Sequence, residues 1–193
     1  MIASRRVFEE HAGDYDRWFD EHGTVYEAQV RMLRDAVLPP GRGLEVGVGS
    51  GRFAVPLGIG YGIDPSRVLL KMAKSRGVEV MLGEGEHLPC RTGSMCHVLM
   101  MTVICFVDDP GALFREAGRV LVPGGALIVG FIERGGEIEK KYRNEKTKGR
   151  FLRYARFWTA DEVTGLLKDA GLTSVRVARR SRGFCVMSGR KKM

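Results

Sequence analysis

Seven consecutive residues, Glu45-Val46-Gly47-Val48-Gly49-Ser50-Gly51, place an acid ahead of three alternating glycines. A turn of that composition lets backbone N–H groups approach a ligand closely, because no Cβ stands in the way. Two cofactor classes use such a turn between a strand and a helix. Dinucleotides take G-x-G-x-x-G/A, which Gly49-Ser50-Gly51-Arg52-Phe53-Ala54 satisfies. S-adenosylmethionine (SAM) takes an acid in the strand followed by G-x-G-x-G, which residues 45–51 satisfy throughout. Asp64 follows Gly51 by 13 positions and can accept both hydroxyls of a ribose; in a dinucleotide fold that acid is expected somewhat later. Gly83-Glu84-Gly85-Glu86 and Leu121-Val122-Pro123-Gly124-Gly125 add two more glycine-bearing turns.

No other group of residues forms a recognisable catalytic set. Cys90, Cys96, Cys105 and Cys185 show neither a CxxC pair nor zinc spacing, so no metal is expected. Cys90 and Cys105 read as packing residues, although Cys105 stands at the end of a strand where substrate chemistry usually happens in this kind of fold. His97, inside an apolar run, reads as a satisfied core residue, whereas His11 and His22 sit on an aromatic segment that could border a substrate.

These residues need a scaffold, and the hydrophobic pattern supplies one. Phe8, Ala12, Tyr15, Phe19, His22 and Tyr26 recur in steps of four and three, one helical face. Thr24 and Glu27 predict a capping box for a second helix, with Val25, Ala28, Met32, Leu33 and Ala36 as its stripe, ended by Pro39-Pro40-Gly41. Strands are expected at 43–46, ending at Asp64, and at 78–82, 97–104 and 126–132. Between them, Asp64-Pro65-Ser66 opens a helix bearing Val68, Leu69, Met72 and Ala73, and Asp109-Pro110 opens another. Thr159 and Glu162 form a further capping box, and 172–189 reads as a hairpin turning at 180–183. Near-continuous apolar strands alternating with helices predict a parallel sheet covered on both faces.

At 193 residues the chain is expected to form one domain, 1–193. With 44% hydrophobic and 28% charged residues it is not a disordered protein. Its longest apolar run, 98–107, is half a membrane span and holds Thr102, and its first residues form no apolar leader. A reduced, cytoplasmic protein without membrane contact is the expectation. The net charge of +8 favours anionic ligands in general.

Residues 45–51 with Asp64, Glu84-Gly85 and Pro123-Gly124-Gly125 resemble the class I SAM-dependent methyltransferases. The likeness is to the small stand-alone kind typified by ubiquinone and menaquinone biosynthesis enzymes, from about Tyr15 onward. The resemblance implies an α/β, doubly wound, mostly parallel seven-stranded Rossmann-like sheet with a C-terminal antiparallel hairpin. It implies that Glu45, Gly47, Gly49 and Gly51 wrap the methionine part of SAM, Asp64 and Pro65 its ribose, and Glu84 and Gly85 its adenine, near His87. Tyr15 and Thr102 complete that set, with Tyr15-Asp16-Arg17-Trp18 as the segment that covers the cofactor. Two departures stand out: Leu88-Pro89-Cys90 for the usual Leu-Pro-Phe, and Met95-Cys96 for Phe-Asp.

The implied reaction is methyl transfer from SAM to a small-molecule acceptor by in-line displacement, leaving S-adenosylhomocysteine. Positioning and desolvation supply most of the acceleration, and an already ionised acceptor needs no base. Substrate-side candidates are Trp18, Phe19 and His22 of a helical cover, 1–38, Arg150, Arg153 and Arg156 of a basic insertion, 133–158, and Cys105 at the end of the fourth strand. Residues 140–156 carry eight basic residues and only Glu145 as an acid, which suits an anionic acceptor. The same stretch, with an acid-free tail after Asp169, leaves an RNA or protein methyltransferase as the alternative. Against it, the fourth strand ends in neither Asn-Pro-Pro-Tyr nor Asp-Pro-Pro-Tyr. A non-catalytic SAM-binding protein is the contrasting class.

Overall fold

A computed structural model describes residues 2–36, 39–144 and 149–193. Met1, Val37, Leu38 and residues 145–148, among them Lys146 and Lys148 of the basic stretch, lie outside the described residues. One seven-stranded sheet forms the centre, in the order β3-β2-β1-β4-β5-β7-β6, with β1 Gly43–Val46, β2 Tyr61–Asp64, β3 Glu79–Leu82, β4 Met95–Met101, β5 Leu121–Ile132, β6 Leu172–Ser181 and β7 Phe184–Lys191. The first five strands are parallel, and β7 runs antiparallel to both β5 and β6. The doubly wound sheet with its closing hairpin is therefore as the sequence implies.

Both faces are covered. Leu113, Phe114 and Ala117 of α6 (Pro110–Val120) and Val163 and Leu167 of α8 (Ala160–Asp169) bury one face. Val30 and Leu33 of α3 (Gly23–Arg34) and Leu70 and Ala73 of α5 (Arg67–Ser75) bury the other. The capping box at Thr159 and Glu162 is present in both directions, and Asp109 caps α6 through its side chain.

Elsewhere local geometry departs from the pattern. The aromatic segment is three helices: α1 (Ile2–Glu10), α2 (Ala12–Glu21) and α3. The chain breaks at His11 and His22, both with φ near −120°. Because His22 occupies the N-cap of α3, Thr24 falls inside the helix and cannot cap it; the Thr24–Glu27 box is not formed. Ser66 caps α5 by accepting from the Leu69 N–H at 3.2 Å, which turns Leu69, Leu70 and Ala73 inward and leaves Val68 exposed. A four-residue helix, α4 (Ala54–Leu57), follows the glycine loop. β4 stops at Met101, three residues short of the expected end. Thr102 leaves the sheet at φ +55°, its N–H donating to the Gly130 carbonyl at 2.7 Å, and Ile104 and Cys105 are buried in the turn that follows. An apolar run does not distinguish a strand from a buried turn.

The parallel arrangement brings the carboxyl ends of β1, β2 and β4 to one edge, so Gly47, Asp64 and Thr102 converge there. α7 (Glu137–Asn144) and a 3-10 turn, Leu152–Tyr154, lie in the insertion between β5 and α8. No helix among the described residues is long and apolar enough to cross a membrane.

Candidate active site

The glycine loop is shaped by three left-handed residues: Gly47 (φ +68°), Gly49 (φ +52°) and Gly51 (φ +83°). A Cβ on Gly47 would collide with Val103 Cγ2, and one on Gly49 would press on the Tyr15 ring at 3.2 Å. At Gly51 a Cβ would sit 3.2 Å from the Ala73 Cα, so this glycine admits α5 rather than a ligand.

Asp64 hangs from the end of β2, 7% exposed. Its Oδ2 accepts the Gly49 N–H at 2.9 Å and its Oδ1 the Ser66 N–H at 2.8 Å. Burial pushes its pKa up to about 6 against the pull of those two donors. The carboxylate thus holds the glycine loop and the start of α5 together while facing a cavity. Next to it Ser66 donates to the Glu9 carboxylate of α1.

That cavity has a volume of about 690 Å³, within the roughly 300–1,000 Å³ usual for small-molecule sites. One wall is Gly47, Gly49, Asp64, Pro65, Ser66, Gly83, Glu84, Gly85, Glu86 and Thr102. The facing wall comes from the cover helices and the insertion: Phe8, Tyr15, Trp18, Phe19, His22, Ile138, Lys141, Arg150 and Phe151 among others. The two irregular segments meet over it. Phe8 stacks on Phe151 at 5.0 Å and meets Tyr15 and Phe106 edge-on at 5.4 and 5.1 Å. Arg150 pairs with Asp14 and reaches the His11 ring nitrogen at 3.2 Å. Burial, with Asp64, Glu45 and Asp16 nearby, pushes the Tyr15 phenol well above its ordinary value, so it stays a hydrogen-bond donor.

The cover is tied to the loop through Asp16. Burial raises its carboxyl, but hydrogen bonds from Arg52 and Arg76 outweigh that and hold it well below the usual carboxylate range. Asp20 adds a second pair with Arg52 at 2.6 Å.

Of the residues singled out in the sequence, Tyr15, Trp18, Phe19, His22, Gly47, Gly49, Asp64, Pro65, Glu84, Gly85, Thr102 and Arg150 border the cavity. Five do not. Glu45 lies beneath the loop, 1% exposed, its carboxyl pushed far up by burial despite the Ala54 N–H; its Oε2 has no partner among the described residues. Gly51 packs on α5, as above. Cys105 is turned into the core, its thiol donating to the Thr102 carbonyl at 2.8 Å and pushed up to about 12 by burial. The Arg156 N–H bonds to the Cys105 carbonyl at 2.9 Å, which lays that stretch against the turn after β4. Its guanidinium then stacks on Trp158 at 4.1 Å, and that of Arg153 on Tyr154 at 4.8 Å. His87 is exposed and borders nothing here. His97 is buried, as expected; burial lowers its pKa against a hydrogen bond with the Pro39 backbone.

Pattern reading missed Phe8 as part of the lining, and with it Phe106, Phe151, Lys141 and Glu86. Three of these carried a signal: Phe8 on the aromatic helical face, Lys141 in the basic stretch 140–156, and Glu86 in the turn after β3. Glu86 is 7% exposed and its Oε1 has no partner among the described residues. An orphaned acceptor in a cavity wall, beside Asp64, Glu84 and left-handed glycines, fits a polar ligand with hydroxyl and amino groups, as the nucleoside part of SAM has.

Residues 44–129 match the family described as a methyltransferase domain. A Methanocaldococcus jannaschii protein without an assigned activity is 39% identical over 90% of this chain and 84% of its own length. A malonyl-[acyl-carrier protein] O-methyltransferase of Geobacter sulfurreducens is 30% identical over 92% of this chain and 73% of its own. The crystal structure of a SAM-dependent methyltransferase of Thermotoga maritima, described as a candidate histamine N-methyltransferase, superposes with a TM-score of 0.90 at 37% identity, covering 98% of this chain and 100% of that one. With this fold, this glycine loop and these relatives, the chain belongs to the class I SAM-dependent methyltransferases.

Proposed function

We propose that the acceptor is a small molecule bound in the same cavity as the cofactor. When bound, SAM would supply an electrophilic methyl on its sulfonium sulfur for in-line displacement by the acceptor's lone pair, with S-adenosylhomocysteine keeping the electron pair of the broken carbon–sulfur bond. On this reading Asp64 and Pro65 border the ribose and the Asp64 carboxylate accepts its hydroxyls. Glu84 and Gly85 receive the adenine. Backbone at Gly47 and Gly49 takes the methionine part, with Tyr15 and Thr102 beside it. Gly51 and Glu45 act from behind by holding the loop's shape. Phe8, Phe106 and Phe151 exclude water, which strengthens every electrostatic contact inside. Residues 1–193 then work as one domain, cover and insertion closing together.

The observation that carries this reading is the enclosure: an acid-and-glycine wall and an aromatic wall share one cavity of about 690 Å³. The Geobacter and Thermotoga relatives are named for a carrier-bound malonyl group and an amine, so relatives of this chain are named for different acceptors. The test is transfer of labelled methyl from SAM into fractionated cell extract, with and without ribonuclease. Label in a ribonuclease-resistant, low-mass fraction is the expected result. Label confined to ribonuclease-sensitive material or to protein overturns it.

A further inference from the structure

Six acidic or basic side chains border the cavity, and their distribution is uneven. The acids Asp64, Glu84 and Glu86 all stand at the ends of β2 and β3, the half assigned above to the nucleoside. The basic residues Arg5, Lys141 and Arg150 stand on the cover and the insertion. Arg5 lies 3.7 Å from Glu84, and Arg150 is paired with Asp14. Lys141 makes no hydrogen bond or ion pair with a described residue.

Lys141 is not scattered surface charge. Ile138, Lys141 and Tyr142 of α7 all border the cavity, and their i, i+3, i+4 spacing makes them one face of the helix. That face borders the cavity together with the apolar Ile132, Phe151 and Leu152, and Lys141 on it is exposed. A long basic side chain can lay its stem on apolar surface while its head waits for a counter-charge. Among the described residues, the acids of the lining all come from the ends of β2 and β3, and none from the cover or the insertion. A protonated amine entering it would stand near the cofactor's sulfonium without a counter-ion, and like charges repel more strongly as water is excluded.

We propose that Lys141 sets the acceptor's charge: the acceptor is a small anion with an apolar body, its negative group held by Lys141, and cationic amines are refused. This rests on the reading of the cavity as a SAM and acceptor site.

The experiment uses calorimetry on the full chain saturated with S-adenosylhomocysteine. Three matched probes share one skeleton: 3-phenylpropionate, 3-phenylpropanol and 3-phenylpropylamine. The carboxylate should bind at least about tenfold more tightly than the amine. Lys141→Gln should weaken the carboxylate about 3- to 10-fold, a modest loss because the head is partly solvated, while Lys141→Arg restores it. Neither variant should change the affinity for the alcohol or for S-adenosylhomocysteine. The proposal is overturned if the amine binds as well as the carboxylate. It is equally overturned if Lys141→Gln leaves the carboxylate unchanged, or if the carboxylate fails to bind at about 10 mM. Failure of S-adenosylhomocysteine itself to bind the unaltered protein would instead sink the reading of the cavity.

Discussion

The Arg52 guanidinium grips both carboxylate oxygens of Asp16, Nε to Oδ1 at 2.9 Å and Nη2 to Oδ2 at 3.0 Å. Arg52 follows the last glycine of the loop and Asp16 lies in the second cover helix, so the loop and its cover are joined directly. Arg76, just past the end of α5, adds a third bond to Oδ2 at 2.7 Å.

Asp16→Asn should lower the melting temperature, because it leaves two half-buried guanidinium groups short of a counter-charge. Loss of about 1–3 kcal/mol corresponds to a shift of roughly 3–10 °C. The acid side of the stability profile should change too. The folded carboxyl is held below its unfolded value, so its contribution is full above the unfolded pKa and is lost as pH falls through the folded one. Denaturation curves between pH 2 and 5 should be flatter for the variant; parallel curves would show that Asp16 does not anchor the cover.

Asp64 titrates in the opposite sense. With a folded pKa of about 6, raised by burial, it takes up protons on folding, and its effect on stability worsens as pH rises from about 4 through 6. On the proposed reading, the ionised form is the one that accepts ribose hydroxyls. Affinity for S-adenosylhomocysteine should therefore increase as pH passes 6 and then level off. Asp64→Ala should cost about 10- to 150-fold in affinity at pH 7.5, remove the pH step and leave folding intact. Calorimetry across pH 5–8 measures all three, and an unchanged step in the variant would assign it to another group.

Gly47→Ala should abolish cofactor binding, since the new methyl group meets Val103 and the residue is held at φ +68°. The left-handed conformation alone costs about 1–2 kcal/mol for a residue with a Cβ. Adding Val103→Ala relieves the collision but not the dihedral cost. The double variant should recover part of the binding, read as a thermal shift with S-adenosylhomocysteine. Full recovery would mean that crowding rather than backbone conformation demands the glycine.

Phe151→Ala opens the cover where Phe8 and Tyr15 meet it at 5.0 and 5.8 Å. Methyl transfer should fall about tenfold or more through lost positioning, with cofactor affinity changed far less. Stopped-flow binding and single-turnover assays separate the two. Equal losses in both would place Phe151 against the cofactor rather than over the acceptor.

Much of this arrangement is legible in the sequence, and the limits have physical causes. The Thr159–Glu162 cap acts through backbone groups three residues away, and Asp64 stands at a fixed spacing of 13 positions from the end of the glycine loop, so spacing reports them. The break at His22 depends on how the cover packs, and the local Thr24–Glu27 pattern gives no warning of it. Thr102 still donates the last ladder bond to Gly130, 28 positions on, and the chain turns out of the sheet there at φ +55°, inside an apolar run that gives no sign of it. Phe8, Phe106 and Phe151 come together only when distant segments close, and no period connects them. Arg153 and Arg156 look like anion binders until their neighbouring rings, Tyr154 and Trp158, are seen to hold them.

The cavity's two walls come from separate stretches of chain. Nearly everything assigned to the cofactor falls between Gly47 and Val103, while the opposing wall is drawn from Phe8–Gln29 and Ile132–Leu152. Apart from Tyr15 and Asp16, which tie the cover to the glycine loop, substitutions in the second set can accumulate without disturbing the first. Such a molecule can exchange one acceptor for another over evolutionary time while keeping its methyl donor. For the same reason, grafting residues 132–152 from a relative is a direct route to retargeting it.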